Sequence, residues 1–308
     1  MQRVAALARH AGGLNVVPYM GTGGVWRLAA TVAAHSGVTV RVAAPPPRLT
    51  KRVNDKLWFA QRVVEVLGTR AIPTTSSVFG PAALTGRVAA LAKHNRHVAI
   101  KVPDSAGAAG NLVLDSTSLR GLSARALQER LLTVLWRLEW DQAYPLLVTV
   151  WDRPVVASPS VQLWIPESGR GFPFVEGVFD QNVQEPAGEF IGAMPTTLPE
   201  QWCLRLADEA ARLGFLFQAL GYFGRCSFDA TLVGEDVNSA VLHWIECNGR
   251  WGATSILMTL ANRLGGDWRM RPFITVHRRR YPAGPGLAVA SRTGPLSLCR
   301  QALGSPIG

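Results

Sequence analysis

Gly224-Arg225-Cys226-Ser227-Phe228-Asp229, followed after a short polar segment by Trp244-Ile245-Glu246-Cys247-Asn248-Gly249-Arg250, sets the architecture of this 308-residue chain. The runs 224–233 and 240–248 are rich in β-branched and aromatic residues. They flank 234–239 (Gly-Glu-Asp-Val-Asn-Ser) and predict a β-hairpin. Side chains two apart on a strand share a face, so Glu246 and Asn248 lie together. With a turn near Val237-Asn238, positions 229 and 246 are nearly equidistant from it, which sets Asp229 opposite Glu246. Arg250 continues the same alternation. The parity that joins Glu246 to Asn248 puts His243 on the other face, so no histidine is placed to activate Ser227 or Cys226, and both are read as structural.

Two carboxylates and a carboxamide on one patch form an all-oxygen set suited to magnesium, which takes near-octahedral oxygen ligands and shares its shell with phosphate. The plainer alternative is a pair of solvated acids neutralised by the chain's arginines. The apolar company of Phe228, Leu232, Trp244, Ile245 and Trp251 favours acids held within the fold, where close carboxylates need a cation. Arg250 is then placed to neutralise a transferring phosphoryl group or an oxyanion.

Working outward, the cations that would meet such phosphates are scarce. The chain has 28 arginines but only the lysines Lys51, Lys56, Lys93 and Lys101, so each lysine position carries information. Lys101 ends the apolar run His-Val-Ala-Ile-Lys-Val at 97–102, just ahead of the small-residue loop 104–111 (Asp-Ser-Ala-Gly-Ala-Ala-Gly-Asn). A charge in an apolar strand needs a partner, and small residues let backbone N–H groups approach phosphate closely. Lys56 stands at a predicted helix start capped by Asn54, with apolar positions Leu57, Ala60, Val63, Val64 and Leu67 and a stop at Gly68. A cation suits a helix N-terminus poorly, so Lys56 is either a solvated helix end or the neighbour of an anion.

The front of the chain alternates strand (15–20), turn (Gly21-Thr22-Gly23-Gly24), helix (25–35) and strand (38–42), ended by Pro45-Pro46-Pro47. This predicts a βαβ unit and a domain boundary at the prolines. The glycine turn lacks the dinucleotide-binding spacing and is read as a tight turn. Further helices are expected over 82–92, 123–140, 198–220 and 254–263, and strands over 146–151, 160–165 and 174–182. The class is therefore α/β at the front and α+β behind it. The tail, 268–308, is rich in Arg, Pro and Gly with little periodicity.

Hydrophobic residues make up 48% and charged residues 17%, enough for a packed core and too apolar for disorder. No run of 18 uncharged apolar residues is present to span a membrane. Arg3, Arg9 and His10 interrupt the apolar N-terminus and argue against a signal peptide. Cys203, Cys226, Cys247 and Cys299 contain no C-x-x-C pair and read as reduced thiols of a cytoplasmic protein. The net charge of +11 points to an anionic partner. A small anion fits better than nucleic acid, because the charge is dispersed along the chain, His277-Arg278-Arg279-Arg280-Tyr281 included.

Asn54-Asp55-Lys56 opening a helix, a strand lysine about 45 residues later before a glycine loop, and a late D…E-x-N-x-R together resemble the ATP-grasp superfamily over roughly 53–255. The stretches VVPYMGT, PSVQLWIP, VEGVFDQ, EFIGAMP, GYFGRCSFDA and WIECNGRWGATS look most like the peptide ligases with a pre-ATP-grasp domain, typified by the pheganomycin peptide ligase. The resemblance implies an ATP-grasp fold over 51–267, with a lid subdomain at about 97–160, behind a partial pre-ATP-grasp domain at 1–50. It implies that Lys56 and Lys101 hold the ATP phosphates beneath a lid including Ser105, Gly107, Gly110 and Asn111. It further implies an adenine hinge on the strand 161–165, at Gln162, Trp164 and Ile165, and one or two magnesium ions on Asp229, Glu246 and Asn248. Arg250 would steady an acyl phosphate or tetrahedral intermediate. Gln162 stands where these enzymes usually carry an acid, and Glu167 and Glu176 are both open as ribose ligands. The implied activity is ATP-dependent joining of a small-molecule or peptide carboxylate to an amine.

Overall fold

The computed structural model describes residues 1–105, 110–184, 189–269 and 275–276. Three sheets organise them. At the front, β1 (Leu14–Val16) and β2 (Val40–Val42) pair in parallel, with helices α1 (Gln2–His10) and α2 (Gly23–Ser36) beside them. Thr22 caps α2 by accepting from Val25 N–H, so the glycine turn is a helix entry.

The proline run does not simply end the unit. Pro47 opens α3 (Pro47–Val53), as its fixed φ allows at a first helical position. Helix α4 (Lys56–Leu67) follows at once. The expected cap, Asn54, is corrected: Asp55 accepts from Leu57 N–H (2.8 Å) and Trp58 N–H (3.0 Å). Asn54 instead closes α3. Gly68, at φ 93°, ends α4 as predicted.

A four-stranded sheet comes next, in the order β3 (Thr75–Val78), β6 (Leu146–Val150), β4 (His97–Lys101), β5 (Asn111–Asp115), with every described pairing antiparallel. Helices α5 (Pro81–Ala92) and α6 (Ala124–Arg137) supply its core, with Leu127, Leu131 and Leu135 at helical spacing against Val98, Ile100, Leu146 and Val148. β3 and α5 thus join the unit expected to begin near 97.

The largest sheet has seven strands: β7 (Val155–Ala157), β8 (Pro159–Ile165), β9 (Phe174–Gln184), β10 (Glu189–Pro195), β11 (Gly224–Val233), β12 (Val241–Asn248) and β13 (Thr275–Val276). Its order is β12-β11-β8-β9-β10-β13, with β7 also on β11. Period-2 alternation sends Val161, Leu163 and Ile165 of β8 and Cys226, Phe228, Ala230 and Leu232 of β11 into one core. Helix α7 (Glu200–Ala219) meets them with Trp202, Leu206, Ala210, Leu213 and Phe217. The Phe228 ring sits 5.2 Å from Phe217, 5.6 Å from Phe59 and 6.2 Å from Trp244. Each such burial stabilises the fold by about 1.5–3 kcal/mol, and together these rings hold α4 and α7 against the hairpin of β11 and β12. Helix α8 (Ala253–Gly265) follows β12. Among the described residues no helix is long and apolar enough to cross a membrane.

Candidate active site

The hairpin register places Asp229 directly opposite Glu246 and Ser227 opposite Asn248. Asp229 Oδ1 accepts from Ser160 Oγ (2.6 Å) and Oδ2 from Asn248 Nδ2 (2.8 Å). The carboxyl group of Asp229 is pushed up to about 6, first by burial and then by the charge of Glu246; hydrogen bonds from Ser160 and Gln181 and the charge of Arg250 act in the other direction.

A β-bulge changes the expected side-chain parity. The register shifts between Asp229 and Ala230, so Glu246 and Trp244 face consecutive residues of β11. Leu242, Trp244 and Cys247 all enter the core, while Ile245 and Glu246 both line the cleft. His243 therefore lies on the Glu246 face, which corrects the simple alternation. Its Nδ1 is 2.7 Å from Asp152 Oδ2, and Asp152 lines the same cleft.

Lys56 is buried, at 6% exposure, with Nζ 3.1 Å from Glu246 Oε2 and donating to the carbonyl and Oγ of Ser105. It is not a solvated helix end. Lys101 is buried too, its Nζ 5.3 Å from the centre of the Trp151 ring. Its ammonium is brought down to about 8 by burial, with Lys56 acting in the same direction and Glu246 and Asp152 opposing. Both lysines, Asp229 and Glu246 border one cleft of about 530 Å³ between the four- and seven-stranded sheets. Asn111, the register partner of Lys101, lines it as well. Gly110 accepts from Val102 N–H through its carbonyl (2.9 Å), and a Cβ there would meet Ser105 Oγ at 2.3 Å. The expected lid position Gly107 lies outside the described residues, as do 277–281 and most of the tail.

The three expected hinge residues lie away from the cleft. Gln162 lies beneath the Asp229 patch and donates to Ser160 Oγ (3.0 Å), Trp164 is farther along β8 beside Arg225, and Ile165 points into the core. None of the three borders the cleft. Its wall is the connection between the two sheets and the start of the larger one: Val150, Trp151, Asp152, Val155, Val156, Ala157 and Ser158. Neither Glu167 nor Glu176 borders it, and Glu176 is paired with Arg225. The signal for this wall was present in Trp151-Asp152-Arg153-Pro154, where Pro154 interrupts two strand-like runs.

Arg250 sits past the end of β12 and, like Asn248, is not among the residues that line the cleft. Nη1 donates to Asn54 Oδ1 (2.7 Å) and Nε to Tyr19 Oη (3.3 Å). The oxygen set of Asp229, Glu246 and Asn248 fits a divalent cation: two carboxylates face each other across a hairpin, one raised by burial and by its neighbour's charge, with a carboxamide adjoining. Among the described residues no group of three or more His, Cys, Asp or Glu side chains is arranged for a metal, so Asn248 is needed to complete the set.

The fold is that of solved ATP-grasp enzymes. The Campylobacter jejuni biotin carboxylase in its β-γ-ATP complex matches at TM-score 0.59 and 17% identity, over 86% of this chain and 54% of that one. The biotin carboxylase domain of the Hydrogenobacter thermophilus 2-oxoglutarate carboxylase, solved with MgADP, ADP and bicarbonate, matches at 0.55 and 14%, over 82% and 51%. D-alanyl-alanine synthetase A from Vibrio cholerae matches at 0.52 and 11%, over 77% and 67%. The chain spans about half the length of the two carboxylase structures. No family model and no curated protein matches it.

Proposed function

We propose that this chain is an ATP-dependent, magnesium-requiring ligase that joins a carboxylate to an amine. The observation that carries the reading is the meeting of Lys56 and Lys101, from α4 and the four-stranded sheet, with Asp229 and Glu246 of the seven-stranded sheet in one cleft. Two buried lysines meeting two carboxylates in one cleft suit a bound triphosphate and its metal better than they suit each other.

Lys56 and Lys101 bind the phosphates. Val150, Val155, Val156 and Ala157 give the purine an apolar wall, in place of the strand 161–165. Ser105, Gly110 and Asn111 cover the phosphates and exclude water. Asp229, Glu246 and Asn248 would hold one or two magnesium ions, whose chemistry is to neutralise charge on phosphate oxygens. A substrate carboxylate oxygen attacks the γ-phosphorus and ADP leaves, forming an acyl phosphate. The amine then attacks the acyl carbon, phosphate departs, and the nitrogen loses a proton. Arg250 steadies the acyl phosphate and the tetrahedral intermediate. Positioning and charge neutralisation do most of the work. The stretches that resemble peptide ligases, and the fold likeness to D-alanyl-alanine synthetase A, favour amino-acid or peptide substrates.

Calorimetric titration of MgATP into wild type and Glu246→Ala, with EDTA as control, tests the reading. Metal-dependent binding to wild type, weakened at least tenfold in the variant, is expected. A folded wild type that does not bind MgATP, or a turnover that releases AMP, would refute it.

A further inference from the structure

We propose that Asn54 is a positioning residue that orients the Arg250 guanidinium for the γ-phosphoryl group. The inference rests on the ligase reading, but its geometry is independent of any ligand. Asn54 occupies the junction between α3 and α4, two residues before Lys56. Its Oδ1 accepts from both Gly249 N–H (3.0 Å) and Arg250 Nη1 (2.7 Å). Its Nδ2 donates to Thr50 carbonyl (2.7 Å) and is 3.4 Å from Gly249 carbonyl. One carboxamide thus engages both backbone groups of Gly249 and the side chain of the next residue.

The approach is closer than any other residue type at 249 would allow. A Cβ on Gly249 would stand 2.3 Å from Val53 Cγ2 and 3.0 Å from Asn54 Nδ2. The strand that presents Glu246 and Asn248 is therefore stapled to the segment that presents Lys56. The same two segments meet a second time at the Lys56–Glu246 ion pair (3.1 Å). Together the two links fix how the phosphate-facing lysine sits relative to the carboxylates.

For Arg250 the consequence is orientational. Nη1 is committed to Asn54 and Nε to Tyr19 Oη. The Tyr19 backbone is tied to the same segment, its carbonyl accepting from Trp251 N–H (3.0 Å), while its ring is exposed. Nη2 makes no hydrogen bond among the described residues, which leaves that edge of the guanidinium for a ligand. A long side chain held at two nitrogens loses little further freedom on meeting an anion. Asn54 acts through Arg250 and touches no reacting atom.

The test measures how much aluminium fluoride, a mimic of the transferring phosphoryl group, tightens MgADP binding. The proteins are wild type, Asn54→Ala, Asn54→Asp, Arg250→Ala and the Asn54→Ala/Arg250→Ala double variant, each checked for folding by thermal melting. Wild type is expected to bind MgADP more tightly with fluoride. Asn54→Ala should lose about ten- to a hundredfold of that tightening, the scale of one charge-assisted hydrogen bond, with a smaller effect on MgADP alone. Arg250→Ala should lose as much, and the double variant no more, since the two act as one unit. Asn54→Asp keeps an acceptor for Nη1 and should retain most of the tightening, which also serves if the alanine variant does not fold. Additive losses, equal weakening with and without fluoride, an Asp variant as poor as Ala, or a wild type insensitive to fluoride would each overturn the proposal and leave the ligase reading standing. A wild type that binds no MgADP at all would remove the ligase reading and the proposal with it.

Discussion

Lys101→Met should make the free protein more stable while impairing its ligand binding. Lys101 is buried and its ammonium is brought from the ordinary 10.5 down to about 8, chiefly by loss of solvent. That lowering corresponds to about 3 kcal/mol against the charged form in the folded chain. Below pH 8 the amine is protonated in both folded and unfolded chains, so the folded state bears the whole penalty. Between pH 8 and 10.5 the unfolded chain binds the extra proton, and wild-type stability rises with pH through this contribution. Above 10.5 the penalty is gone. Methionine has a similar length and no charge. The variant is expected to be about 1–3 kcal/mol more stable than wild type at pH 7, with the gap closing across pH 8–10.5. Urea unfolding at pH 7, 8.5 and 10 reads this directly. The same variant should bind MgATP about ten- to a hundredfold more weakly. A Met variant less stable at pH 7, or a gap that does not change with pH, would refute the burial argument. Unimpaired MgATP binding would refute the phosphate role.

Three further outcomes follow from the geometry. MgATP affinity should peak between about pH 6, where Asp229 gains its proton, and about pH 8, where Lys101 loses its own; calorimetry should show it falling by up to about tenfold per pH unit beyond each limb, and a flat profile from pH 5 to 9 would count against both assignments. Gly249→Ala forces a Cβ to 2.3 Å from Val53 Cγ2, so thermal melting should show a loss of about 1–3 kcal/mol, and an unchanged melting temperature would mean the junction is looser than described. Val156→Trp fills part of the cleft from its wall and should weaken MgATP binding by about tenfold, roughly 1.4 kcal/mol, at near-wild-type stability; undiminished binding would place the purine elsewhere.

The hairpin was legible because its information is local. Period-2 alternation and a short polar connection suffice to set Asp229 opposite Glu246, and the register agrees. The bulge was not legible, since one additional residue at Ile245 leaves no compositional mark, and it carried His243 across the sheet. Asn54 and Asp55 are both good helix caps, and propensity alone cannot choose between them. The choice is made by Gly249 and Arg250, nearly 200 residues away, which occupy the Asn54 amide. The cleft wall is hard to read from the sequence for a related reason. The strand 161–165 is the more conspicuous run, but its inward residues belong to the core. The shorter, Pro-interrupted connection at 150–158 faces the cavity only because two sheets meet there.

The arrangement of charge explains why the chemistry spans two sheets. Had Lys56, Lys101, Asp229 and Glu246 been presented by one strand pair, they would neutralise one another through short contacts and leave little field for a ligand. Instead Lys56 reaches Glu246 at 3.1 Å, while Lys101 and Asp229 are each shifted toward their uncharged forms. Neither is fully compensated by the protein. On the proposed reading, a polyanion carrying its own divalent cation supplies both partners at once: phosphate oxygens for Lys101 and a metal for Asp229. On that reading the cleft prefers a metal–polyphosphate complex to either component alone. Free ATP should bind more weakly than MgATP, and magnesium without nucleotide more weakly still, which separate titrations of the three can rank.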